Sequence, residues 1–256
     1  MSALEDLLRE ATLALEVRPG RADLIEGTGF LVAPGIVATC AHVLAGRPEA
    51  LPGTVAARTA AGRELELETV REWYLREHAG GLDLALLRAP MEAGLPHVLL
   101  SGIVETGEML QTFGHPAGKF RAGQSALFTA QGTSRLRAVD AHGRPLGGEW
   151  EPERVFGTPV GGGYSGSAVL SRRTGAVCGM LCLSDMAGSA HMVSAKDILA
   201  ALPQIAQVQS DPARNSRWLA ELDDEQIRIG GWPYPGPRLR AYLEAAAGAA
   251  RACWRT

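Results

Sequence analysis

Gly161-Gly162-Gly163-Tyr164-Ser165-Gly166-Ser167-Ala168 is the stretch on which the fold of this chain turns. Three consecutive glycines let successive backbone N–H groups converge into a nest that binds an anion, and they deliver the chain to Ser165. A phosphate-binding loop would need Gly-Lys-Ser/Thr opening a helix. No lysine is present here, and Ser167-Ala168-Val169-Leu170 leads as a strand into the turn Arg172-Arg173-Thr174-Gly175. A Gly-x-Ser-x-Gly elbow is broken at its last position by Ser167, and its partners should follow in the order serine, acid, histidine.

Upstream, two further segments bear on the serine: Thr39-Cys40-Ala41-His42 and Gly81-Leu82-Asp83-Leu84-Ala85. A serine hydroxyl is a poor nucleophile until an imidazole accepts its proton, and the imidazole needs a partner to fix its tautomer. Asp83 lies among leucines, where an ionised carboxylate costs several kcal/mol unless it is paired or hydrogen-bonded. Taken singly, each segment has an ordinary explanation: a loop histidine, a strand-edge aspartate, a glycine turn. Together, in the order His42, Asp83, Ser165, they make a catalytic set.

The surrounding pattern is one of short strands. Apolar positions at Leu4, Leu7, Leu8, Ala11, Leu13 and Leu15 predict a short N-terminal helix running into a strand. Residues 30–32 and 36–44 flank Ala33-Pro34-Gly35 and predict a hairpin of two buried strands, the second closing on His42. Residues 64–70 alternate and 82–87 are continuously apolar around Asp83, so both predict strands. After a linker near 89–96, strand signals recur at 109–113, 126–131, 135–139, 167–170, 176–183 and 192–193. Residues 196–202 predict a helix stopped by Pro203. Beyond residue 210 the composition changes: 218–222 is helical in character, 230–237 is Gly/Pro-rich, and 238–251 is Ala-rich and helix-favouring. The expected organisation is an all-β domain over 1–209 in two similar halves, near 14–95 and 96–202, each a sandwich or a barrel, followed by a helical and Pro-Gly appendage or linker over 210–256.

Composition narrows the classes. The chain has 256 residues, 46% hydrophobic and 21% charged, with 31 glycines and 15 prolines. It can bury a core, and its turn-formers suit many short strands. A net charge of −3 with interspersed arginines predicts no nucleic-acid partner. The acidic start and the short apolar runs predict no signal peptide, no membrane span and a cytoplasmic location, with Cys40, Cys178, Cys182 and Cys253 as reduced thiols. Cys178 and Cys182 lack a matching second pair, so neither a zinc site nor any cofactor is expected. Cys40 reads as a small buried packing residue, and His78, His97, His115 and His142 as loop histidines.

The Thr-x-x-His, Asp-Leu-Ala-Leu-Leu and Gly-x-Ser-Gly segments, in this order and after Gly27-Thr28-Gly29-Phe30, resemble the chymotrypsin/trypsin-like serine proteases. They look most like the bacterial trypsin-like peptidase domains that include the HtrA proteases. The resemblance spans roughly 14–202 and implies two six-stranded antiparallel β-barrels with the site between them. It implies Ser165 as nucleophile, His42 as base, Asp83 as orienter, and the N–H groups of Gly163 and Ser165 as oxyanion hole. Protein or peptide would be the substrate. Pancreatic-type relatives carry an Asp before the nucleophile that pairs with a cleaved N-terminus; Tyr164 stands there, so that switch is absent. Trypsin has an acidic residue six positions before its nucleophile; Pro159 stands there. With Cys182, Leu183 and Ser184 as a pocket wall, the resemblance implies a small or apolar residue before the cut. His191 falls near the same pocket in this reading, in a structural role. An alternative is a catalytically silent module that binds a peptide or a protein partner. Either could serve as an effector or sensor beside a fused or associated regulatory module.

Overall fold

The computed structural model describes residues 2–18, 24–44, 51–75, 82–91, 94–116, 121–133, 136–139, 145–184, 187–233 and 236. The side chains of 145–150, 183 and 184, and those of 136–139, are not among those described. The expected helix over 238–251, His78, His142 and Cys253 lie outside the described residues.

Helix α1 (Ala3–Ala11) is nucleated by a capping box in which Ser2 accepts from the Glu5 N–H and Glu5 reaches back to the Ser2 N–H. Its leucines at 4, 7 and 8 are buried, and the chain passes directly into β1 (Thr12–Val17). Five further strands follow: β2 (Ile25–Ala33), β3 (Ile36–Thr39), β4 (Thr54–Thr59), β5 (Glu64–Tyr74) and β6 (Ala85–Arg88). They close a barrel in the order β1-β2-β3-β6-β5-β4. The second barrel uses β7 (Met109–Gly114) and β8 (Gln124–Thr133), then, after the hairpin β9 (Leu136–Val139) and β10 (Pro145–Trp150), β11 (Glu153–Gly157), β12 (Ala168–Ser171), β13 (Val177–Ser184) and β14 (Ser189–Ser194). Its closed order is β11-β14-β13-β12-β7-β8, and every named strand pair in both barrels is antiparallel. The two six-stranded barrels expected from the resemblance are therefore present.

Two strand predictions need correction. The second strand of the first hairpin ends at Thr39, not Leu44, and a single helical turn, α2 (Ala41–Leu44), replaces its end. The strand predicted over 82–87 begins only at Ala85, leaving Asp83 on the approach to it.

The interior of the second barrel is packed by Leu110, Phe128, Val155, Val169, Leu181 and Met192, among others. The first core is larger: it fills barrel one, continues through Val98–Leu100 between the barrels, and reaches Ile205, Trp218, Leu219 and Leu222. Pro203 does stop α3 (Ala195–Ala201), yet it also opens α4 (Pro203–Gln209), because proline suits a first helical position whose N–H would be unpaired anyway. Residues 210–232, set apart in the sequence by their composition, are built into this core. Two short helices, α5 (Ser216–Leu219) and α6 (Asp224–Gly230), lie there. Gln209 donates to the carbonyls of Val32 and Val98 and accepts the Leu100 N–H, each at 2.8 Å, tying barrel one to the inter-barrel segment. His97 is no free loop residue: its Nε2 meets Asn215 Oδ1 at 3.2 Å, and burial pushes its pKa down.

Trp218 is 2% exposed and its indole N–H donates to the Gly175 carbonyl at 2.7 Å. Trp218→Ala is therefore expected to cost about 3–5 kcal/mol in urea unfolding. A loss near zero would show that this segment is a tail.

Candidate active site

Asp83 is carried by a three-residue turn: the Leu84 N–H donates to the Leu82 carbonyl at 2.9 Å, an i to i+2 bond with Asp83 at its centre. Leu82 and Leu84 are buried on either side, so the carboxylate is 10% exposed and needs partners. It finds them on α2. The backbone N–H of His42 donates to Oδ1 at 3.0 Å, and His42 Nδ1 stands 2.6 Å from Oδ2. One carboxylate thus holds both the backbone and the ring of His42, and it also accounts for the early end of β3, since it accepts from the first turn of α2. The ring remains one-third exposed.

Cys40 Sγ, His42 and Asp83 place three ligand-type atoms within 4.8 Å of one another. Nitrogen and oxygen ligands of a tetrahedral zinc ion stand about 3.3 Å apart. At 2.6 Å, His42 and Asp83 are spaced as a proton-sharing pair instead. Cys40 is fully buried and its Sγ faces the Leu181 carbonyl at 3.2 Å, which fits the packing role expected of it.

Ser165 comes from the second barrel on a tight turn. The Ser167 N–H donates to the Tyr164 carbonyl at 2.9 Å, with Gly166 at φ +90°, which is a type II turn with Ser165 at its second position. Tyr164 replaces a charged anchor with a buried one: it is 3% exposed within the second core, and its hydroxyl donates to the Gln124 carbonyl at 3.1 Å. Burial pushes its pKa up to about 12, so the phenol stays neutral. Gly163 has φ +96°, a conformation that favours glycine. Among the described residues no acceptor takes up the N–H of Gly163 or of Ser165.

Barrel two meets barrel one at Thr28 of β2, whose N–H donates to the Ser165 carbonyl at 2.9 Å. A Cβ on Gly166 would lie 1.8 Å from the Thr28 carbonyl oxygen and 2.6 Å from Thr39 Oγ1. Gly166→Ala is accordingly expected to destabilise the fold by about 3 kcal/mol or more and to lower kcat/KM at least about 100-fold by displacing the turn. Gly162→Ala, with nothing within 4 Å of its Cβ, serves as the tolerated control in the same thermal and kinetic measurements.

The structure thus couples His42 to Asp83 directly, whereas the hydroxyl of Ser165 donates to the Cys182 carbonyl at 3.4 Å rather than to the imidazole. Of the expected pocket residues, Pro159 is exposed and its neighbour Val160 buried. Cys182 is buried, with its Sγ against the His191 carbonyl at 3.2 Å. Leu183 and Ser184 lie in β13, but their side chains are outside the described set. His115, expected in a loop, is 1% exposed and packs edge-on against Phe113. In the sequence Thr28 stands only as part of Gly27-Thr28-Gly29-Phe30; Gly-Thr-Gly within a strand, where backbones approach closely, is the signal that marks it.

Residues 27–180, more than half of the chain, match the family described as trypsin-like peptidase domain. The chain belongs to that family. Among solved structures, this trypsin-like peptidase is similar to the active form of the Rv3671c protease from M. tuberculosis, with 21% identity and a TM-score of 0.65, covering 80% of this chain and 84% of that one. The MamO protease domain from Magnetospirillum magneticum superposes with a TM-score of 0.57 at 17% identity, over 77% and 98% of the two chains. A serine endoprotease from Yersinia pestis gives 0.57 at 15% identity, over 81% and 68%. These likenesses establish a shared fold. No curated protein sequence matches the chain.

Proposed function

We propose that this trypsin-like peptidase is a serine endopeptidase that cleaves peptide bonds through an acyl-enzyme. Ser165 Oγ attacks the scissile carbonyl, His42 takes its proton and returns it to the leaving amine, and Asp83 holds the Nδ1–H tautomer. The N–H groups of Gly163 and Ser165 receive the oxyanion. The observation that carries the reading is the two-point grip of Asp83 on His42, at 3.0 and 2.6 Å, beside a serine turn fastened across the barrel junction. The step requires the serine hydroxyl to leave the Cys182 carbonyl for the imidazole, and rotation between staggered wells of the Ser165 side chain is the movement available to it. No cleaved N-terminus is required, since Tyr164 anchors the turn by burial; activity is then either intrinsic or gated by a fused or associated module.

A second reading, a peptide-binding module without turnover, is favoured by one observation, the bond from Ser165 Oγ to the Cys182 carbonyl. Incubating the protein with a peptide library separates the two. The first reading expects cleavage after small or apolar residues, since no charged side chain stands at Pro159 or Cys182. A profile dominated by Arg, Lys, Asp or Glu would contradict the pocket assignment, and binding without cleavage would favour the second reading.

A further inference from the structure

We propose that Thr28 is the positioning residue of the oxyanion turn: its hydroxyl and its N–H hold the Gly163–Tyr164 and Ser165–Gly166 peptides, and so keep the peptide between them, which carries the Ser165 N–H, facing the cleft. The inference rests on the reading of Ser165 as nucleophile. Thr28 sits in β2 between two glycines and is fully buried. All its polar groups are engaged. Its N–H donates to the Ser165 carbonyl at 2.9 Å, and its carbonyl accepts from Thr39 Oγ1 at 2.7 Å. Its Oγ1 contacts the Gly163 carbonyl at 2.7 Å and the His115 N–H at 3.0 Å.

The direction of these last two bonds follows from the partners. A backbone N–H can only donate and a carbonyl can only accept, so Oγ1 accepts from His115 and commits its single proton to Gly163. Within the turn, the carbonyls of Gly163 and Ser165 are thus both drawn to Thr28. The carbonyl between them, that of Tyr164, is held the other way by the N–H and Oγ of Ser167, at 2.9 and 2.6 Å. Three successive peptide planes are fixed, two of them by one residue from the opposite barrel. Peptide planarity places the Ser165 N–H opposite the Tyr164 carbonyl. The Gly163 carbonyl belongs to the Gly163–Tyr164 peptide; Gly163, with φ +96° and no side chain, offers little local resistance to rotation of that plane, so the hydroxyl of Thr28 supplies what the residue itself lacks.

Loss of this bond affects the transition state more than substrate binding, because the oxyanion forms only as the carbonyl is attacked. Thr28→Val keeps the branched shape and removes the hydroxyl. The expected result is a fall in kcat of about 10- to 100-fold with KM within about 3-fold of wild type. Affinity for a peptide aldehyde, whose tetrahedral adduct places an oxyanion in the same position, should fall in parallel with kcat/KM. Affinity of an uncleaved peptide for Ser165→Ala and for Ser165→Ala/Thr28→Val should be equal. Thr28→Ser restores the donor and most of kcat. If Thr28→Val does not fold, Thr28→Cys, with its weak S–H donor, should give an intermediate loss. Unchanged kcat in Thr28→Val, or in Thr28→Cys where that variant takes its place, overturns the proposal, as does a loss confined to KM. Fluorophosphonate labelling of the wild type is read alongside. A labelled wild type with an unaffected Thr28→Val refutes only the role of Thr28, whereas an unlabelled wild type refutes the nucleophile on which it rests.

Discussion

Ser165→Ala is expected to lower kcat/KM for peptide hydrolysis by about 10⁶-fold, to the background of the assay. The size of the effect follows from what the hydroxyl does: without it no acyl-enzyme forms, and His42 and Asp83 are left with no proton to move. The fold should barely register the change. Ser165 is half-buried, and its Oγ makes one long bond, at 3.4 Å to the Cys182 carbonyl, so its removal should alter stability by no more than about 1 kcal/mol. The turn is held by backbone bonds and by Gly166, which alanine at 165 leaves alone. A variant as stable as the wild type, still able to bind peptide and unable to cleave it, is the expected outcome in paired kinetic and thermal measurements. Residual activity within tenfold of wild type would place the nucleophile elsewhere.

Asp83→Asn is expected to cost about 10⁴-fold in kcat, and the reason lies in the bonding capacity of the amide. Asp83 accepts from the backbone N–H of His42 at Oδ1 and faces the ring Nδ1 with Oδ2. Asparagine has one accepting oxygen and one donating NH₂. If the oxygen keeps the backbone N–H, the NH₂ faces Nδ1 and forces that nitrogen to accept. The ring proton then sits on Nε2, the nitrogen that should take the serine proton, and the base is blocked. If the amide flips, the donor faces the backbone N–H and the first turn of α2 loses its anchor. The first arrangement removes activity through the tautomer of His42, the second through its position. Kinetics and imidazole ¹⁵N chemical shifts, read on the same variant, check this. An Asp83→Asn variant within tenfold of wild type would show that Asp83 does not set the state of His42.

The two barrels were legible in the sequence because their core strands are continuous apolar runs: 30–32, 84–87 and 176–182 are buried where the pattern predicts. The strands that escaped notice bury little. In β4, inward positions are filled by Val55, Ala57 and Thr59, and in β11 Val155 is the one buried side chain. Closure of each barrel supplies what such segments lack locally, through pairing with β1 and β5 on one side and β8 and β14 on the other. The end of β3 was misread for a related reason. Nothing in Ala41-His42-Val43-Leu44 opposes extension, and the turn is held by a carboxylate forty-one residues away. The same applies to 210–232, whose Pro, Asp and Gly content suggests a linker until Trp218 and Asn215 are seen to bond across to Gly175 and His97.

The candidate site was legible as a set of residue types in order, since its chemistry demands a hydroxyl, an imidazole and a carboxylate. Its supports were less so. Thr28 and the inward anchoring of Tyr164 act through backbone atoms and burial, which leave only a faint trace in residue identity.

The measurement that tests the central claim most directly is the intact mass of the full chain after incubation with a fluorophosphonate, followed by mapping of the modified peptide. The account predicts a single adduct on Ser165 in the wild type, none in Ser165→Ala, and labelling greatly slowed in Asp83→Asn. Correctly folded protein that takes up no fluorophosphonate, or takes it up at another residue, would contradict it.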